Sequence, residues 1–212
     1  MVTCNRHFNL RKSMGKIFYI MGKSAAGKDK IFKALLEDQE LDLHRLVLYT
    51  TRPIRSGEVN GNEYFFVDNT KFQEMREQGK VIEFRSYQTV QGIWTYFTGD
   101  DGQMDLERWN YLGIGTLESY EKMRSYFGKE RVCPVYIQVE DGQRLARALR
   151  REEKQKVPQY AEMCRRFLAD CVDFSEEKIL ACGIEKRFEN VDLPVCIQEV
   201  KDYIQKQIGK GC

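Results

Sequence analysis

The segment Gly22-Lys23-Ser24-Ala25-Ala26-Gly27-Lys28-Asp29 constrains this chain more than any other stretch. An apolar, β-prone run (KIFYIM, 16–21) precedes it, and in the segment after it Ile31, Phe32, Leu35 and Leu36 recur at helical spacing up to about residue 38. Buried strand, glycine-bearing turn and amphipathic helix, in that order, open a parallel α/β sheet. The turn follows the spacing G-x-x-x-x-G-K-[ST] at every position but the last. Small residues let backbone N–H groups converge on phosphate oxygens, and the helix start adds partial positive charge. Lys28 can then reach the outer phosphates. The bland alternative, a glycine turn between any strand and any helix, leaves these coincidences unexplained.

Further β-prone runs at 46–50, 111–115, 134–139 and 185–191 alternate with helical patterns such as 116–127 and 159–174, as in a mostly parallel sheet flanked by helices. Between the first two runs the texture changes. Asn60-Gly61 is a turn signal, Tyr64 to Val67 are β-prone, and Val81 to Phe84 can pair with them. This reads as a small β-rich insertion, 51–105. A second interruption, 141–166, carries Arg144, Arg147, Arg150, Arg151, Arg165 and Arg166.

At 212 residues, with 42% apolar and 31% charged residues, the chain suits one compact domain, 15–212. The 34 basic and 32 acidic residues leave a formal charge of +2, which gives no overall field for a nucleic acid or a membrane. Seven cysteines, odd in number and spread without zinc-type spacing, read as reduced thiols of a cytoplasmic protein. Residues 1–14 contain no apolar run of signal-peptide kind and read as a flexible extension.

The segment Thr51-Arg52-Pro53-Ile54-Arg55-Ser56-Gly57-Glu58-Val59-Asn60-Gly61-Asn62-Glu63-Tyr64-Phe65-Phe66-Val67 resembles the acceptor-nucleotide segment of the guanylate kinase family, the P-loop nucleoside monophosphate kinases. That resemblance implies a P-loop parallel sheet with a nucleoside monophosphate-binding insertion at 51–105 and an arginine-rich lid at 141–166. It also implies an activity: ATP-dependent phosphorylation of GMP to GDP by direct in-line transfer, with Mg²⁺. Gly22 to Asp29 would hold the ATP phosphates. Arg52, Arg55 and Tyr64 would hold the GMP phosphate, for which planar guanidinium forks are suited.

By the same resemblance Glu83 would read guanine, accepting from its ring N–H and its exocyclic amine, and Tyr96 and Thr98 would complete the acceptor site. Arg147 and Arg151, four apart on one helical face, resemble the lid arginines that reach the transferring phosphates, with Arg166 a third. Lys28, Arg52, Arg147, Arg151 and Arg166 are thus the expected catalytic groups. Each has a bland rival: Glu83 as an ordinary strand residue, the tyrosines as core aromatics, the arginines as a solvated face.

The sequence also departs from the family pattern. Asp29 stands where a magnesium-binding hydroxyl is usual and is the candidate metal ligand. In the third core strand, Gly113 and Gly115 stand where two aspartates are expected. Leu48 replaces a serine that touches the guanine. We expect the first two changes to be linked, the Asp29 carboxylate restoring negative charge lost from the strand. Two alternatives stay open: a kinase for another small acceptor nucleotide, and a non-catalytic module of the same fold that binds nucleotides or proteins.

Overall fold

Five consecutive residues without solvent exposure, Ile17–Met21 (β1), form the central strand of the main sheet. A strand covered on both faces has no polar side to show, so its sequence is apolar throughout rather than alternating. The computed structural model describes residues 14–89 and 92–209, so the expected flexible extension lies outside the described residues apart from Met14.

From β1 the chain continues through α1 (Lys28–Glu37), β2 (Leu43–Arg45), β3 (Leu48–Thr50), β4 (Tyr64–Phe66), α2 (Asn69–Glu77), β5 (Val81–Thr89) and β6 (Gly92–Gly99). It then forms β7 (Asn110–Ile114), α3 (Leu117–Phe127), β8 (Val132–Gln138), α4 (Asp141–Glu152), α5 (Tyr160–Asp173), α6 (Glu176–Ala181), β9 (Arg187–Glu189) and α7 (Leu193–Gly209). The main sheet has the order β2-β7-β1-β8-β9 and is parallel throughout. On one face, Leu35 of α1 and Val200 and Ile204 of α7 pack on Phe18 and Ile20. On the other, Tyr120 and Met123 of α3 and Ile179 of α6 pack on Ile17, Tyr19 and Met21.

A second sheet, β4-β3-β6-β5, is mixed, with β3 parallel to β4 and antiparallel to β6. Alternation gives it two unlike faces. Tyr49 and Phe97 point to one and pack with Phe72 and Met75 of α2. The residues between them point to the other.

The apolar run at 46–50, grouped by sequence with the core strands, needs correction. Its strand, Leu48–Thr50, belongs to the second sheet. The main sheet instead ends on the short Leu43–Arg45, which pairs with β7. An edge strand bonded on one side needs little apolar sequence, so Leu43-His44-Arg45 carried no strong local signal.

The arginine-rich segment forms α4 and α5, which lie against each other. The N-terminus of α4 is capped by Glu140, whose carboxylate accepts from the backbone N–H groups of Gly142 and Gln143 at 2.9 Å each. No residue of α5 is fully buried.

Candidate functional site

The turn after β1 has the backbone that its glycines predict. Gly22 has φ 147° and lies so close to the Ile137 carbonyl oxygen that no Cβ fits there. Gly27, at φ 89°, has the Asn190 side-chain amide where a Cβ would stand. That amide donates to the Ala26 carbonyl at 2.8 Å and ties the loop to the segment after β9. Lys28 Nζ donates to the Gly22 and Lys23 carbonyls at 2.6 and 3.0 Å, curling back along the loop. Burial pushes the Lys28 pKa down, and the nearby Asp29 carboxylate opposes that shift.

Asp29 is exposed in the first turn of α1. Among the described residues there is no group of three His, Cys, Asp or Glu side chains able to hold a metal ion by themselves.

Arg144 is the most tightly engaged of the arginines. It is 1% exposed, donates to the Ser24 carbonyl at 3.0 Å and to Asp141 at 2.9 Å, and lies 4.5 Å over the Phe167 ring. The Ser24 N–H in turn donates to Asp170 Oδ2 at 2.7 Å, and Lys23 pairs with Asp141 at 3.1 Å. Thus α4 and α5 are bonded to the loop through Arg144, Asp141 and Asp170. Arg147 donates to the Asn190 carbonyl at 2.8 Å. Arg151 and Arg166 line a cavity of about 180 Å³ together with Ser24. Arg166 is mostly exposed and pairs with Glu162 at 2.7 Å.

The open face of the second sheet gathers the candidate acceptor residues. Glu83 pairs in register with Thr98, and Tyr96 with Thr50, while the Tyr64 and Tyr96 rings lie 5.7 Å apart. Arg52, 4% exposed, is held two-pronged by Glu58 at 2.7 and 2.6 Å and sits 5.1 Å over both Tyr64 and Phe66. Glu58 also accepts from the Arg55 N–H at 2.8 Å, and the Arg52 hydrogen bonds pull its carboxyl down to about 2. Arg55 itself is exposed.

Glu83 is 5% exposed and accepts from Thr98 Oγ1 at 2.8 Å, with Arg85 3.4 Å away. Burial pushes its pKa up while Arg85 and Thr98 pull it down. Leu48 is buried.

Gly113 and Gly115 bring no carboxylate to this region, and their space is taken. A Cβ at Gly113 would meet the Tyr19 ring at 2.9 Å and Leu46 at 3.0 Å. One at Gly115 would collide with the Tyr19 hydroxyl, which donates to Ser119 Oγ at 3.0 Å.

Four side chains of the site escaped sequence reasoning as individuals: Asn190, Arg144, Glu58 and Arg85. Arg144 had only its place in the arginine run as a signal, and Asn190 had none, because its partner lies 164 residues away.

A family model described as guanylate kinase matches residues 14–93. Over 113 residues the chain is 42% identical to the guanylate kinase of Syntrophomonas wolfei, a stretch covering 52% of this chain and 57% of that relative. It is also 42% identical over 69 residues to that of Nostoc sp., covering 34% of the relative. These strong matches therefore span about half or less of the relatives' own length. Across 93% of the chain and 100% of the relative, identity with the guanylate kinase of Porphyromonas gingivalis is 24%. The crystal structure of guanylate kinase from Anaplasma phagocytophilum shares the fold, with a TM-score of 0.66 at 19% identity over 92% of this chain and 87% of that one. The loop at 22–29, the segment at 51–67 and these matches agree: over its N-terminal half the chain is similar to guanylate kinases, and over nearly its whole length it shares their fold.

Proposed function

We propose that this protein is a nucleoside monophosphate kinase that transfers the terminal phosphoryl group of ATP to GMP, giving ADP and GDP. One juxtaposition carries the reading: a phosphate-cradling loop that departs from its pattern only at Asp29, and a sheet face bearing Arg52, Tyr64, Tyr96, Thr98 and Glu83, occur in the same fold. Each half suits a phosphorylated nucleotide of different kind.

In this reading the backbone N–H groups of 22–28 bind the ATP phosphates, and Lys28 exchanges its bonds to the Gly22 and Lys23 carbonyls for phosphate oxygens. Arg52, presented by Glu58, and the exposed Arg55 hold the acceptor phosphate, with Tyr64 beside them. Arg151 and Arg166 approach from the lid side of Ser24 and offset charge that spreads over the transferring oxygens. Positioning and electrostatics suffice; no covalent intermediate with the protein is required.

Magnesium takes one or two carboxylates together with nucleotide phosphates. Asp29, an exposed carboxylate in the first turn of α1, fits that donor set, and β7 adds none. The ion, when bound with Asp29 as a ligand, would supply positive charge that offsets the charge on the phosphate oxygens. Asp29→Ala is expected to abolish the magnesium dependence of ATP affinity in a titration with and without the ion; unchanged dependence would remove Asp29 from this role. A cytoplasmic location is part of the same reading, supported by five free cysteines among the described residues and by the absence there of any helix long and apolar enough to cross a membrane.

A second reading, a nucleotide-binding module without catalysis, is favoured by one observation: the Tyr19 ring and hydroxyl fill the space next to Gly113 and Gly115. ADP formation from Mg·ATP with GMP, AMP, UMP and CMP, using Lys28→Ala as the blank, decides between them. Turnover confined to GMP supports the kinase. Binding of both nucleotides without turnover supports the module.

A further inference from the structure

Arg85 stands two residues beyond Glu83 on β5, so both side chains leave the same face of the strand. On β6 their partners are Thr98 and Tyr96, the two other candidates for the acceptor base. The Arg85 side chain is only 13% exposed, yet few of its five donors are used. One terminal nitrogen donates to Thr116 Oγ1 at 3.2 Å. Nε faces the Glu83 carboxylate, 3.4 Å from Oε2, as an ion pair outside hydrogen-bond geometry. A buried donor without a well-formed hydrogen bond is uncommon in a folded protein and calls for an explanation. Leu48, buried on β3, offers no polar atom.

We infer that Arg85 is a specificity-determining residue, donating to the 6-oxo oxygen of the acceptor purine while the neighbouring Glu83 carboxylate accepts from its N1–H and 2-amino groups. The inference rests on the reading of this protein as a kinase of GMP and extends it to the base. Guanine presents an acceptor and two donors along one edge. Arg85 and Glu83 present donors beside an acceptor carboxylate, the complementary order. A 6-aminopurine reverses two of the three positions, setting its amino group against the guanidinium and the N1 lone pair against the carboxylate.

A purely structural role for Arg85, neutralising Glu83, would act on guanine through Glu83 alone. Equilibrium titration of GMP against 6-thioguanosine monophosphate separates the two roles, because the thio analogue keeps N1–H and the 2-amino group and weakens only the acceptor at position 6. The wild-type protein is expected to prefer GMP about tenfold, and Arg85→Met to lose that preference while Arg85→Lys keeps part of it. If Arg85→Met fails to fold, Arg85→Gln carries the test, its preference falling below that of wild type. A preference unchanged in these variants, with both affinities lowered equally, overturns the inference, as does a wild-type protein indifferent to the sixth position. If wild type binds neither guanine nucleotide, the parent reading fails first, and that result is distinct from either of the others.

Discussion

The Tyr19 hydroxyl occupies the volume that any side chain at Gly115 would need, and Ser119 Oγ holds it there at 3.0 Å. Tyr19 is fully buried, and burial raises its pKa, so the phenol stays neutral and acts as packing with one hydrogen bond. Tyr19 on β1 and the glycines at 113 and 115 on β7 therefore share one packing volume. Gly115→Ala should overpack the site and cost about 1–3 kcal/mol. In Tyr19→Val the added methyl is freed of the tyrosine and meets only Ser119 Oγ, 2.5 Å from its ideal position, so the two substitutions together should cost less than their sum, read from denaturant unfolding as a double-mutant cycle. Simple additivity would show that the two sites do not share this space.

The Arg52–Glu58 pair should give the segment at 52–58 an acid limb. The Glu58 carboxyl lies at about 2 in the folded protein against an ordinary 4.5, so its contribution is full above 4.5 and is lost as pH falls through 2. Glu58→Gln is expected to flatten stability against pH across that window. It should also lower GMP affinity, because Arg52 loses the two-pronged hold that aims it. An acid limb identical to wild type would assign the pair no linkage.

Arg144 joins the loop to α4 and α5. Arg144→Met should destabilise the fold by roughly 1–3 kcal/mol, since Asp170 loses its counter-charge while the half-exposed Asp141 keeps Lys23. Calorimetric melting measures the loss, and ATP titration should show weakened affinity because the Ser24 carbonyl and N–H lose their common anchor. Normal ATP binding in a folded Arg144→Met would restrict Arg144 to stability.

Gly27→Ala meets two obstacles, the positive φ and the Asn190 amide. ATP affinity should fall at least tenfold, and Gly27→Ala with Asn190→Ala should regain only part of it, because the φ strain remains. Asn190→Ala alone leaves the Ala26 carbonyl without its partner, for a cost of about 1–3 kcal/mol in urea unfolding. Full recovery in the double variant would mean that backbone strain plays no part.

The strand, glycine turn and helix at 16–38, the parallel α/β class and the β-prone runs at 64–67 and 81–84 were legible from local spacing, because strand, turn and helix periodicities are set by neighbours within a few residues. The face shared by Tyr64, Glu83, Tyr96 and Thr98 followed once alternation was combined with the register of β5 against β6. What local spacing could not carry was which sheet the strand at 48–50 joins, since a short apolar run suits either. It also could not show that Asn190 closes the loop or that Tyr19 fills the place beside Gly115. Those outcomes depend on contacts between residues about a hundred or more positions apart, decided by packing volume and by the demand of buried polar groups for partners.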